Sequence, residues 1–219
     1  MLMISLSSTQ VPSSTPDVPP LKRPVALTRL NATSAHAVMS LMAQARVPGG
    51  IISIREKCSK ERTHQFSLPE TTLQRGLDYV SGIDKSRGWL HRGGVIIVGF
   101  ALLERTILKT AITDVDIDPN DSLSLATQRL LDSAEVREQI RESGLIQMNS
   151  PLGFSAVAKA GETPPNQRPR PQQMHLHDTT LEAALNALAS MKGPAVWHYE
   201  QVVCGDKLSF RLGWAVSPR

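Results

Sequence analysis

Aromatic residues are scarce in this chain of 219 residues: three Trp, two Tyr and four Phe, 4% of the total. Its cores are therefore expected to be aliphatic, and the exposed aromatic platforms on which nucleic-acid readers stack bases have few candidates. Long hydrophobic runs are missing too. The longest, Val95–Leu103, is interrupted by Gly99. It falls well short of the roughly 20 residues needed to cross a bilayer and reads as a buried strand. No glycine-rich phosphate loop or dinucleotide fingerprint occurs. Met1–Leu6 is apolar but carries no Lys or Arg, and Ser7–Pro20 is rich in Ser, Thr and Pro. A secretory signal needs a basic n-region and a longer apolar core, so no signal peptide is visible, and residues 1–24 are expected to be a disordered tail. Cysteine is limited to Cys58 and Cys204, neither in a metal-type spacing. They are either a disulfide or free thiols, because spacing alone cannot place their Cα atoms within bridging distance.

What the chain does have is one stretch twice. Residues 66–89, FSLPETTLQRGLDYVSGIDKSRGW, align without a gap with residues 174–197, MHLHDTTLEAALNALASMKGPAVW. Phe66 and Leu68 alternate as on a half-buried strand. Thr71-x-x-Gln74 and Thr179-x-x-Glu182 have the form of a capping box. Leu73, Leu77 and Val80, matched by Leu181, Leu185 and Leu188, fall on one helical face. Gly82 or Gly193 is expected to end the helix, and Trp89 or Trp197 then opens a hairpin. The repeated unit is strand–helix–hairpin.

Taken in order, Val25–Leu30 reads as a strand and Thr33 or Ser34 caps a helix to about Arg46. Pro48-Gly49-Gly50 breaks that helix, and Ile51–Arg55 forms a strand. After the first repeat, Trp89–His91 and Val95–Phe100 form a hairpin about Gly93-Gly94. The second half repeats this order with insertions. Ala111–Ile117 is a strand with Thr113, Val115 and Ile117 on one face. A helical region begins at Asp121 or Ser122 and restarts near Asp132-x-x-Glu135. Leu152–Lys159 is a strand, and residues 160–171 form a mobile Pro-rich loop. Ala195–Val202 and Lys207–Ala215 form a hairpin turning at Gly205-Asp206. The expected fold is α+β: two tandem small βαβ-βαββ domains, residues 25–108 and 109–219, each a mixed sheet with two helices packed on a face. Net charge is +4, unevenly spread. Residues 25–108 hold 11 Lys/Arg against 6 Asp/Glu, whereas residues 109–219 hold 11 against 13. A basic first half suits an acidic partner, nucleic acid, or the acidic half of another copy.

This order, with its F-x-L-x-x-T-T-L-x-x-x-L-x-x-V pattern, resembles the short N-terminal domain shared by secretins and TonB-dependent receptors, the STN or secretin-N-like module. Residues 25–100 carry the resemblance best, through VALTRLNATSAHAVMSLMAQARVPGGIISI and FSLPETTLQRGLDYVSGIDKSRGWLHRGGVIIVGF; residues 173–214 form a partial second copy. The resemblance implies a domain of the periplasm or cell envelope that docks other proteins or stacks into rings. The chain departs from the family in lacking a visible export signal, a transmembrane barrel and a pore region, and in carrying an extra helix and a Pro-rich loop. Only the docking role is carried over. The partner is expected to be a protein or a second copy of the chain, with no membrane span, and a cytoplasmic location stays open.

The remaining chemistry is thin. Asp114-x-Asp116-x-Asp118 begins like a calcium loop, but Pro119 and Leu125 stand where that loop needs glycine and glutamate. His175 and His177 share a strand face but flank core positions, so they should point outward rather than bind metal. Cys204 with His198 is a conceivable nucleophile–base pair on paired strands, without an orienting third group. No catalytic residue, cofactor or metal site is expected, and the chain reads as a non-enzyme. A basic nucleic-acid-binding βαββαβ protein is the alternative function. It is disfavoured because the matching strands offer Ile51, Ile52 and Ile54 and one aromatic, Phe66, which the repeat assigns to the core.

Overall fold

A computed structural model describes residues 18–56, 58, 61–148, 174–191 and 193–216. Of the expected disordered tail 1–24, residues 1–17 lie outside those residues, as do the expected strand Leu152–Lys159 and the loop 160–171; residues 18–24 are instead ordered, with a 3-10 turn at Pro20–Lys22 and the Arg23 carbonyl accepting the Leu73 amide. The fold is α+β, as the hydrophobic periods implied. Its elements run β1 (Pro24–Thr33), α1 (Ser34–Ala45), β2 (Gly49–Arg55), β3 (Thr63–Thr72), α2 (Leu73–Ile83), β4 (Trp89–Arg92) and β5 (Val95–Val98). The second half follows with β6 (Ala111–Ile117), α3 (Leu123–Leu131), α4 (Ala134–Glu142), β7 (Leu145–Gln147), β8 (Met174–Thr180), α5 (Leu181–Met191), β9 (Ala195–Cys204) and β10 (Lys207–Val216).

Both halves have the same pairing pattern. β1 lies antiparallel to β3, and β6 antiparallel to β8. The hairpin β4–β5 takes β2 parallel to β5, and the hairpin β9–β10 takes β7 parallel to β10. Individual bonds repeat as well. Trp89 Nε1 donates to Asp78 Oδ1 and Trp197 Nε1 to Asn186 Oδ1, both at 2.9 Å. The Leu73 amide donates to the Arg23 carbonyl at 2.9 Å and the Leu181 amide to the Thr110 carbonyl at 3.0 Å. The matched stretches are thus matched in local structure.

The sequence did not convey that the halves share one sheet. Its order is β4-β5-β2-β9-β10-β7, with β2 running parallel to β9 from Gly49↔Val196 to Arg55↔Val202. Alternate residues face opposite layers. Ile51, Ile96, Val98 and Val196 join the core under α1 and α2, while Ile52, Val95, Ile97, Trp197 and Tyr199 join the core under α3, α4 and α5. The first half's helices therefore cover one face and the second half's the other. In topology, a half-turn about an axis crossing the strands, with a shift of three strands, carries the first half onto the second.

Several local expectations are corrected. The helix caps are Thr72 and Thr180, one residue beyond the expected Thr71 and Thr179. The Thr72 hydroxyl accepts the Arg75 amide at 3.4 Å and Thr180 accepts the Ala183 amide at 3.2 Å, because β3 and β8 continue through the first threonine of each pair. Glu182 accepts from Asn186 rather than reaching back to a cap. Gly82 lies inside α2, which closes at Asp84, whereas Gly193 does adopt the left-handed backbone at φ +97°. Gly49 and Gly50 begin β2 instead of only breaking a helix, since the ring of Trp197 fills the space where a Gly50 side chain would stand. Phe100 belongs to a 3-10 turn, Phe100–Arg105, and not to β5. On β6 the inward residues are Ile112, Val115 and Ile117; Thr113 is exposed, opposite the left-handed Asp178 that interrupts the alternation of β8. The second helical region does split, at Asp132 and Ser133.

Candidate functional site

Where the halves meet, the joint carries a buried polar cluster. β2 supplies Ser53 and Arg55, β9 supplies His198 and Glu200, and β10 supplies Arg211. The turn after α2 adds Arg87 and Asp84, and Glu61 comes from the stretch before β3. Parallel register sets Ser53 beside Glu200 and Ile51 beside His198. Arg87 is the hub: it donates to Ser53 Oγ at 2.6 Å, to the Ile52 carbonyl at 3.0 Å, to Glu61 at 2.6 Å and to Asp84 at 3.3 Å. Glu200 pairs with Arg55 at 2.6 Å and with Arg211. Three guanidiniums thus face three carboxylates, the balance that burial of charge requires.

Ser53 Oγ lies 2.9 Å from His198 Nε2. Arg87 donates to the same Ser53 oxygen, and which of Ser53 and His198 donates in the bond between them depends on the ring tautomer. Nδ1 is buried without a hydrogen-bond partner. Burial, reinforced by Arg87, Arg211 and Arg55, pushes the imidazole pKa down to about 3, so the ring stays neutral at ordinary pH. Burial pushes Glu61 the other way, above the usual carboxylate range, against the pull of Arg87. A serine beside a neutral histidine has the composition of a nucleophile–base pair. Here both side chains are buried, Ser53 at 2% and His198 at 5% exposure. The pair ties the two halves in register, since a slip of β9 by one residue would turn His198 and Glu200 away from Ser53 and Arg55.

The Cys204–His198 pair that the sequence made conceivable does not form. Both residues lie on β9, and Cys204 is instead bonded to Cys58 with Cα atoms 5.0 Å apart, closing a loop of 146 residues. That bond ties the segment after β2 to the end of β9, at the same joint. His175 and His177 are exposed on β8, as the repeat implied. His175 pairs with Asp116 at 2.9 Å and Asp114 at 3.3 Å, and the Asp116 hydrogen bond raises its pKa. Asp114 and Asp116 of the calcium-like motif are thus engaged across the β6–β8 ladder, while Asp118 accepts the Asn120 amide, and among the described residues no cluster of three His, Cys, Asp or Glu could hold a metal. Phe66 is fully buried on β3 and offers no stacking platform.

Behind the β4–β5 hairpin, on the face that carries α5, lies a groove of about 730 Å³. Leu90, Arg92, Val95 and Ile97 form its floor, and Glu182, Ala183 and Asn186 of α5 form one wall. Among the described residues no helix is long and apolar enough to cross a membrane. No protein-family model, curated protein or solved structure matches the chain.

Sequence reasoning missed Ser53, Arg87, Glu200 and Arg211. One signal was present: β9 reads A-V-W-H-Y-E-Q-V-V-C, polar residues in a run that must be central if it is buried on both faces.

Proposed function

We propose that the chain is a non-catalytic protein–protein docking or assembly module of a bacterial cell envelope, the role its resemblance to STN domains implies. The observation that carries it is the Cys58–Cys204 bridge, which joins the two halves across a loop of 146 residues. Such bonds persist in oxidising compartments and are rare in the cytosol. Docking is supported by the sheet itself, which ends among the described residues in two unpaired strands, β4 and β7. Open edges recruit partners by strand addition. The Ser53–His198 pair is buried inside the joint, where it holds structure.

The test is cell fractionation with thiol trapping, combined with a photocrosslinker in place of His91 on β4. A bridged Cys58–Cys204 in the envelope fraction and discrete crosslinked protein adducts are expected. A strictly cytosolic protein with two free thiols overturns the envelope role, and a gel shift with steeply salt-sensitive nucleic-acid binding overturns the docking role.

A further inference from the structure

We propose that copies of this chain associate head to tail, the β7 end of one against the β4 end of the next, by repeating the joint that already unites its two halves. The proposal deepens the docking role above and rests on it only for the setting.

Inside the molecule the β2 edge of the first half meets the β9 edge of the second, and β9 is the repeat counterpart of β4, as β2 is of β7. The operation that relates the halves is open: applied again, it sets a new copy's β4 alongside β7, running parallel as β9 runs along β2. Nothing in it closes, so it generates a linear array rather than a dimer. Two applications amount to a shift by six strands, so successive copies share one orientation.

The side chains at the two ends agree with this placement. Within the chain α1 overhangs β9 and β10 of the other half. Its counterpart α3, from a preceding copy, would lie on the rear of the β4–β5 hairpin, and the 730 Å³ groove is there. Leu90 on that floor is 42% exposed, whereas its repeat counterpart His198 is sealed at 5% beneath the first half. α3 itself exposes the face that α1 buries: Ala35 and Met39 are buried, while their counterparts Ser124 and Gln128 are exposed, beside Leu125. At the other end α5 overhangs β2, so its counterpart α2, from a following copy, would lie over β7. Ile146 projects there, opposite in face to the core residue Leu145, and is 59% exposed. Among the described residues, of the six large hydrophobic residues that stand exposed, four (Leu90, Leu125, Ile146 and Ile83) belong to these four elements. Charge favours the same polarity. Residues 25–108 carry +5 and meet residues 109–219 of the neighbour, which carry −2. Both outer edges are short, so each contact is weak and the array reversible.

The test is sedimentation of the full, disulfide-bonded chain from micromolar to near-millimolar concentration. Mass is expected to climb past the dimer without a plateau, and less in high salt. Leu90→Glu blocks the β4 end and Ile146→Lys the β7 end, each weakening self-association by about tenfold or more. Mixed together they are expected to form a dimer and stop, since one good end of each kind remains. His91→Pro is a second block at β4. Gly99 donates to the Gly88 carbonyl, which makes Leu90 and Arg92 the residues bonded to β5 and turns the His91 amide outward, so the substitution removes no bond of the hairpin. A monomer at every concentration overturns the proposal, and so does a closed dimer whose mass neither variant changes. Neither result touches the docking role if the His91 photocrosslinker still captures a different envelope protein. Linear association of a strictly cytosolic protein refutes the envelope setting and leaves head-to-tail pairing intact.

Discussion

Acid should open the joint before it opens anything else, and His198 sets how steeply. The imidazole is held near a pKa of about 3 in the fold, whereas an unfolded histidine titrates near 6.5. Between those values the unfolded chain binds a proton that the folded chain refuses. Stability from this group is therefore complete above about pH 6.5 and falls as pH drops, at up to about 1.4 kcal/mol per unit. Relative to pH 7, the loss at pH 5 is about 2 kcal/mol, a large share of the roughly 5–15 kcal/mol that holds a typical domain. Other groups titrate nearby: Glu61, raised by burial, pulls the opposite way as acid neutralises it, and His36, lowered by burial, acts with His198. The exposed His175, raised by its aspartates, acts against it. A paired measurement cancels these shared terms. Urea unfolding of the wild type and of His198→Gln, followed by circular dichroism at half-unit steps from pH 7.5 to 4.5, gives two stability curves. Gln keeps an acceptor for Ser53 and has nothing to protonate. The wild-type curve should fall below pH 6.5 by about 2 kcal/mol more than the variant curve over those two units. Parallel curves refute the reasoning, because they mean that His198 takes up its proton in the fold as freely as in water.

Three further outcomes follow from the same joint. Cys58→Ser should cost on the order of 5 kcal/mol by loop entropy for a closure of 146 residues, with 2–5 kcal/mol the usual measured range, read from denaturant midpoints with and without reductant. Gly50→Ala places a methyl 2.0 Å from the Trp197 ring and should destabilise by about 1–3 kcal/mol, whereas Gly82→Ala, in open space on α2, should stabilise by about 0.5–1 kcal/mol; thermal melts separate the two signs. Glu200→Gln leaves Arg55 and Arg211 short of their shared carboxylate and should cost about 3–5 kcal/mol in the same melts.

The elements were legible because local chemistry repeats. Thr33 caps α1 as expected, with its hydroxyl accepting the His36 amide at 3.3 Å. Gly93-Gly94 turns the β4–β5 hairpin on two positive φ angles, and Gly205 turns β9 into β10. The site was not legible, because it is made between repeats. Arg87 reads in sequence as one more basic residue before a tryptophan; the fold of its own half gives it Ser53, and the pairing of β2 with β9 brings His198 and Glu200 alongside. Hydrophobic periodicity reports which face of a strand is covered, not which strand lies beside it. The cap shift from Thr71 to Thr72 has the same origin. Either threonine satisfies a capping pattern, and the choice is made by how far β3 stays paired to β1, up to Pro24↔Thr72.

The two tryptophans show what the joint does to an inherited position. Trp89 and Trp197 sit at the same place in the repeat and donate to the same counterpart, Asp78 or Asn186, at the same 2.9 Å. Trp197 is wholly buried because its strand is central; Trp89 stays half-buried because its strand ends the sheet. Asp78 is exposed at that wet edge, and the neutral Asn186, half-buried, stands in its place beside the buried ring, since taking a carboxylate out of water costs far more than taking out an amide. The same logic runs through the neighbouring positions. Leu90 and Arg92 at the edge become His198 and Glu200 at the joint, each with a partner from the other half. Residues that differ between the copies are therefore sorted by whether a neighbouring sheet covers them. The residues of β4, like those of β7 at the other edge, are the ones no neighbouring strand covers among the described residues.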